Sequence, residues 1–111
     1  NDVIDSNVAA NLRQLFLHHA SEVHLSFDQR NEISSAYKIA LEAGIAPNNV
    51  IENFSTRRKY SVYQCRSVLY QLIWNRELRV DLFSPILINK PLKPETRDVL
   101  DVYSDWFKEA L

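Results

Sequence analysis

A run of three cationic residues, Arg57-Arg58-Lys59, stands directly before a helix-forming segment of this 111-residue chain. Cationic side chains neutralise phosphates and release counterions, and polar side chains on a following helix can hydrogen-bond base edges. The segment also carries Arg66. Its predicted polar stripe consists of Gln64, Ser67, Gln71 and Asn75. The pattern predicts DNA contact at these eight residues. A solvated basic loop and an ordinary polar helix face also explain it, and on the residues alone more readily, so both interpretations stay open.

The charge of the chain is unevenly distributed, although its formal net value is only −1. Residues 1–51 carry three basic and six acidic groups, and residues 80–111 carry four basic and six acidic groups. Residues 52–79 carry six basic and two acidic groups. Arg76 and Arg79 belong to this basic middle and are predicted to extend its positive surface. The patch is modest for a nucleic-acid-binding domain.

No arrangement of side chains in the sequence favours catalysis or metal binding. The acidic residues stand singly on polar helix faces, whereas a metal-dependent nuclease needs several converging carboxylates. Cys65 falls on the apolar side of its predicted helix, where a small buried thiol is expected. His18 and His19 project about 100° apart on a helix, so they are poorly placed to bind one metal ion together. His24 would have to fold back to join either of them. We therefore predict no catalytic residue, no metal and no cofactor.

Hydrophobic periodicity predicts a mostly helical chain. Ser26 and Asp28 open one helix and Gly44 closes it, while Pro47 suits the first turn of the next. The alternation in residues 78–82 predicts a strand, with residues 86–88 as its partner. The predicted helices span 5–19, 27–43, 47–55, 61–75 and 94–111. Three successive helices followed by a hairpin describe a winged helix. The predicted fold class is all-α with a small β-hairpin, a winged-helix-like domain with additional N- and C-terminal helices.

Two aromatic stripes have two interpretations each. Tyr63, Tyr70 and Trp74 lie on one side of helix 61–75, where they either form a second core face or stack on bases or a partner peptide. Tyr103, Trp106 and Phe107 share a face of helix 94–111, which either covers the core or docks on another protein. Tryptophan and tyrosine are enriched at interface hot spots.

Length and composition limit the class of protein. A chain of 111 residues with 46% hydrophobic and 24% charged residues corresponds to one globular domain, here residues 1–111. No apolar stretch is long enough for a membrane span, and the single cysteine favours a reducing compartment such as the bacterial cytoplasm. The chain begins with Asn1 and contains no methionine, so we expect it to be a piece of a longer protein.

Residues 69–82, LYQLIWNRELRVDL, and residues 8–16, VAANLRQLF, resemble the C-terminal domain of TnsA, the endonuclease subunit of heteromeric bacterial transposases. The similarity covers roughly residues 7–90 and consists of hydrophobic spacings. It implies a winged helix that contacts DNA during transposition, with the catalytic residues in a preceding domain. It also implies docking to an ATP-dependent regulator, TnsC, and association with other transposase subunits.

The sequence as a whole predicts a non-catalytic DNA-binding and partner-docking domain of a transposition endonuclease subunit. The alternative is a protein-interaction domain of a phage or regulatory protein that docks a partner through the face of Tyr103, Trp106 and Phe107 without contacting DNA. Salt distinguishes the two, because phosphate contacts weaken steeply as salt rises and apolar docking does not.

Overall fold

The computed structural model describes residues 5–18 and 23–98 together with Val102. This part of the chain is all-α, as predicted, and contains four helices. Helix α1 spans Ser6–His18, α2 spans Phe27–Ala43, α3 spans Pro47–Thr56 and α4 spans Val62–Trp74. Each lies within two residues of a predicted helix, so the periodicity and the cap residues located the helices well.

Local chemistry explains where α2 and α4 begin. Ser26 precedes α2, and its hydroxyl accepts from the backbone N–H of Gln29, whose side chain in turn accepts from the N–H of Ser26. Ser61 and Gln64 form the same reciprocal pair at the start of α4. These capping boxes satisfy backbone donors that a helix leaves without partners in its first turn.

Helix α4 forms the centre of the fold, because α1, α2 and α3 each contact it and α2 also contacts α3. Within α4, the buried residues occupy most of the helix circumference; they are Cys65, Ser67, Val68, Leu69, Tyr70, Leu72 and Ile73. Tyr37 of α2 reaches α4 and donates from its hydroxyl to the carbonyl of Cys65 at 2.7 Å. Burial raises the pKa of Tyr37. A helix buried on so many sides is positioned by the core rather than by its polar face.

The predicted hairpin between residues 78–82 and 86–88 is not formed, and the described residues contain no β-strand. The reason is Asn11, a buried polar residue of α1. Its Nδ2 donates to the carbonyls of Leu82 and Ser84, both at 2.8 Å, and its Oδ1 accepts from the N–H of Ile86 at 3.2 Å. Backbone groups of both intended strands are therefore bonded to α1 instead of to each other.

Residues 79–81 pair with residues 93–95 instead. One antiparallel bridge joins Val80 and Pro94, flanked by bonds from Asp81 N–H to the Lys93 carbonyl and from Glu95 N–H to the Arg79 carbonyl. Pro94 was predicted to open the last helix, but residues 94–98 are not helical. The helix prediction otherwise falls outside the described residues, except for Val102, which is helical. Tyr103, Trp106 and Phe107 also lie outside them.

Candidate nucleic-acid interface

The basic run lies in the tight turn between α3 and α4. Arg58 has a left-handed backbone with φ of 53°, Lys59 N–H donates to the Phe54 carbonyl, and Arg58 N–H donates to the Ser55 carbonyl. These two bonds define a Schellman motif, in which the left-handed residue is usually glycine. Arg58 therefore has a strained backbone, since the left-handed conformation costs an L-residue about 1–2 kcal/mol.

Three arginines at this end of α4 form no ion pair within the described part of the chain. Arg57, Arg58 and Arg66 are all exposed. The Arg57 guanidinium lies 5.6 Å from the centroid of the Phe54 ring, a cation–π contact that leaves its donors free for another ligand. We call the surface formed by Arg57, Arg58, Lys59 and Arg66 the basic turn.

Lys59 differs from these arginines because Glu32 of α2 neutralises it. Its Nζ lies 2.8 Å from Glu32 Oε2, and the Tyr60 hydroxyl donates to Glu32 Oε1 at 2.7 Å. The bonds from Lys59 and Tyr60 lower the pKa of Glu32. Burial and then the bond to Glu32 raise the pKa of Tyr60 to about 12. Lys59 is thus a weaker candidate for phosphate contact than its neighbours.

The predicted polar stripe of α4 does not form one continuous exposed surface that could contact base edges. Ser67 is only 2% exposed, because it lies three residues before Tyr70 on the side of α4 that packs against α1. Its predicted role in base contact is therefore wrong. Gln64 is used in the capping box and donates to the Val23 carbonyl, and Gln71 is half-buried. Asn75 is exposed, but it caps the opposite end of α4.

Arg76 and Arg79, predicted to extend the positive surface, are instead neutralised. Arg76 bonds Glu95 at 2.8 Å and Asp98 at 3.0 Å, and Arg79 bonds the same two carboxylates at 2.6 and 3.0 Å. These carboxylates come from the segment that follows the bridge to Val80. We call this four-residue group the closed cluster. It was not predictable from spacing because its partners lie 16 to 22 residues apart.

The aromatic stripe of α4 is divided by the packing of α1. Tyr70 is buried, its hydroxyl accepts from Gln14 Nε2 at 3.0 Å, and its ring stacks on His18 with centroids 4.9 Å apart. Trp74 is half-buried and makes an edge contact with Phe16. Tyr63 remains 57% exposed. The core interpretation therefore holds for Tyr70, while Tyr63 is available on the surface near Arg66.

A second surface feature is an apolar groove of about 330 Å³ between α2 and α3. Ile39 and Ile45 on its wall are exposed, and Arg57 belongs to its lining. Nothing in the predicted site residues, apart from Arg57, indicated this groove. The exposed isoleucines would have been the only signal, because the helical spacing assigns Ile39 to the side of α2 away from its core residues.

The structure offers no arrangement for metal or thiol chemistry in the residues it describes. No group of three or more histidine, cysteine or acidic side chains is close enough there to hold a metal ion. Cys65 is fully buried, and burial raises the pKa of its thiol to about 11, so the thiol stays protonated at neutral pH. Among the described helices, none has the length and apolar character needed to cross a membrane.

Comparisons with protein-family models, with curated proteins and with solved structures found no match to this chain.

Proposed function

We propose that this domain binds DNA through the basic turn, with Arg57, Arg58 and Arg66 contacting phosphates. The observation that carries the proposal is Arg58, which is exposed, holds a strained left-handed backbone and forms no ion pair with the described residues. Strained backbone at a surface position is a feature of ligand-binding and switch regions. Glycine would relieve the strain, so an arginine here favours a use for its charge.

The burial of α4 favours phosphate contact over base readout. A recognition helix exposes one face along several turns, so that its side chains reach base edges in the major groove. In α4 the exposed residues of the first two turns are Val62, Tyr63 and Arg66, and the core covers most of the rest. Contacts of this kind position a protein on DNA and carry little sequence information. The proposed binding is therefore weakly sequence-specific.

The role in DNA transposition belongs to the same proposal. It is supported by the resemblance of residues 69–82 and 8–16 to the C-terminal domain of TnsA. It is also supported by the order of α2, α3 and α4, each of which contacts the other two as in a winged helix. On this proposal the domain serves a transposon-end endonuclease without catalysing cleavage itself, and a TnsC-type regulator or other transposase subunits are its protein partners.

The test is fluorescence-anisotropy titration of labelled duplex DNA at low and moderate salt. We expect Arg57→Glu/Arg58→Glu to weaken binding at low salt at least about tenfold, because two phosphate contacts are replaced by repulsion. The control is Lys90→Glu/Lys93→Glu, which makes the same change in net charge at two exposed lysines far along the chain. We expect the control to bind within about threefold of the unmodified protein, since non-local charge is screened.

If both variants weakened DNA binding equally, net charge alone would explain the effect, and a site at the basic turn would be contradicted. Absence of duplex binding by the unmodified protein at low salt would contradict direct DNA contact.

A second candidate function is protein docking without DNA contact, favoured by the apolar groove between α2 and α3. An Ile39→Asp variant would lose such docking while keeping salt-sensitive DNA binding, since Ile39 is 64% exposed and does not belong to the core cluster. Loss of DNA binding in this variant would mean that the groove and the basic turn act as one surface.

A further inference from the structure

A small cleft adjoins the basic turn between the end of α1 and the first half of α4. Its volume is about 250 Å³. It is lined by His18, Val62, Tyr63, Arg66, Ser67 and Tyr70. Pockets for drug-sized ligands span roughly 300–1,000 Å³, so this cleft suits a single small planar group rather than an extended ligand.

Aromatic rings make up much of the lining. The His18 and Tyr70 rings are stacked with an interplanar angle of 27°, and the hydrogen bond from Gln14 holds the Tyr70 hydroxyl in place. Tyr63 adds a third ring, more than half of which faces solvent. An exposed tyrosine beside a fixed aromatic pair is an arrangement on which a planar heterocycle can stack.

The charge of the cleft selects among planar ligands. Arg66 lies in its lining, is exposed and forms no ion pair with any described residue. Arg57 and Arg58 precede the same end of α4 in the chain, and neither forms an ion pair with the described residues. A base attached to a phosphodiester backbone matches both features, since its ring can stack on Tyr63 while a neighbouring phosphate pairs with Arg66.

We propose that this cleft captures one unpaired base of a DNA strand. The inference rests on the proposed DNA binding and adds that the preferred substrate is single-stranded, frayed or otherwise unpaired DNA. A base inside a duplex has both faces covered by its neighbours, so it must leave the stack before it can enter such a cleft. The basic turn supplies the sequence-independent attraction, and the exposed ring of Tyr63, beside the His18–Tyr70 pair in the lining of the cleft, supplies the preference for an unpaired base.

The experiment compares the binding of two labelled eight-nucleotide strands at one low salt concentration by fluorescence anisotropy. One strand is oligo-dT, and the other is an abasic strand with the same number of phosphates. We expect oligo-dT to bind about tenfold more tightly, because stacking of a base on an aromatic side chain accounts for a factor of this size. Tyr63→Ala should reduce oligo-dT binding to the abasic level. Tyr63→Phe, which keeps the ring, should restore it. Tyr63 is exposed, so both substitutions should leave the fold intact, and circular dichroism checks this.

The outcomes separate this inference from the function on which it rests. Equal binding of the two strands, lost in Arg57→Glu/Arg58→Glu, would overturn base capture and leave DNA binding by the basic turn intact. Tighter oligo-dT binding that Tyr63→Ala does not change would overturn this cleft as the site. Binding of neither strand and of no duplex would overturn both proposals.

Discussion

The two ends of α4 present arginines in the same backbone conformation but in opposite electrostatic surroundings. Arg58, just before α4, has φ of 53°, and Arg76, just after it, has φ of 63°. Each occupies the left-handed position of a Schellman motif, the first closing α3 and the second closing α4. Arg76 is neutralised by Glu95 and Asp98, whereas Arg58 forms no ion pair with the described residues.

The fold accounts for the strained backbone of Arg76 but not for that of Arg58. The left-handed conformation directs Arg76 into the closed cluster, where two carboxylates stabilise its charge and offset the strain. Arg58 has the same strain with no such compensation in the described structure. The comparison therefore favours a structural role for the closed cluster and supports the binding role proposed for the basic turn.

The largest expected effect concerns Asn11, which anchors residues 82–86, beyond the C-terminal end of α4, to α1. We expect Asn11→Ala to lower the free energy of unfolding by about 3 kcal/mol, because it leaves two carbonyls and one N–H without their buried partner. The matched control is Asn7→Ala, which removes one half-buried bond, from Asn7 Nδ2 to the Phe83 carbonyl at 3.1 Å. That variant should cost about 1 kcal/mol. Urea unfolding measures both, and equal losses would contradict the anchoring role of Asn11.

Removing the carboxylates of the closed cluster tests whether neutralisation of Arg76 and Arg79 is what distinguishes the C-terminal end of α4 from the basic turn. In Glu95→Gln/Asp98→Asn, Arg76 and Arg79 lose their carboxylates, and we expect the affinity for duplex DNA at low salt to rise about tenfold, as two more cations become available. Anisotropy titration measures the change. The control is Glu42→Gln/Glu52→Gln, which removes two exposed carboxylates elsewhere. An equal rise in the control would show that net charge alone controls binding.

Relieving the strain at each end should give opposite results. Arg58→Gly is expected to raise the free energy of unfolding by about 0.5–1 kcal/mol, since glycine adopts the left-handed conformation without steric cost and no ion pair is lost. Arg76→Gly relieves similar strain but removes the ion pairs of the closed cluster, so no gain is expected. Thermal and urea unfolding compare the two. Stabilisation by both substitutions would show that the closed cluster does not offset the strain.

The smallest expected effect is on acid stability. Just after the C-terminal end of α4, the bond from Arg30 lowers the pKa of Glu77 below its ordinary value of 4.5. A carboxyl whose pKa is lower in the folded state contributes stability above its unfolded pKa and loses it as the pH falls through the folded pKa. We therefore expect Glu77→Gln to be slightly less stable than the unmodified protein at neutral pH and to lose less stability below pH 4.5. The ion pair is partly exposed, so the difference is small.

That pH dependence is measured by urea unfolding at a series of pH values. Parallel curves for Glu77→Gln and the unmodified protein would contradict a lowered pKa at this carboxyl.

Much of the helical fold could be predicted from the sequence, because its signals are local. Ser26 with Gln29 marks the start of α2, Gly44 marks its end with φ of 70°, and the spacing of Ile33 and Tyr37 gives its buried face. These features depend on residues three to four positions apart, whose relation a helix determines directly. The position of the basic turn between two helices was predictable for the same reason.

The candidate site was predicted only in part, because exposure depends on what packs against each residue. By helical spacing Val62 shares a face with the fully buried Cys65 and Leu69, yet it is 48% exposed. Ser67 was placed on the polar side but is buried by the packing of α1. Helical periodicity gives a direction around the helix axis, and it cannot say how many neighbours surround that helix.

The sequence by itself determined the four helices, their caps and the run of cationic residues before α4. Only the tertiary structure decided which cations of residues 52–79 keep their charge available. Arg76 and Arg79 meet carboxylates from a segment that pairs with residues 79–81. The loop between the two is bonded to Asn11, whose partners lie 71 to 75 residues away. The physical reason is range. Capping and periodicity act over one or two turns of chain, whereas ion pairing and burial depend on which segments the fold brings together.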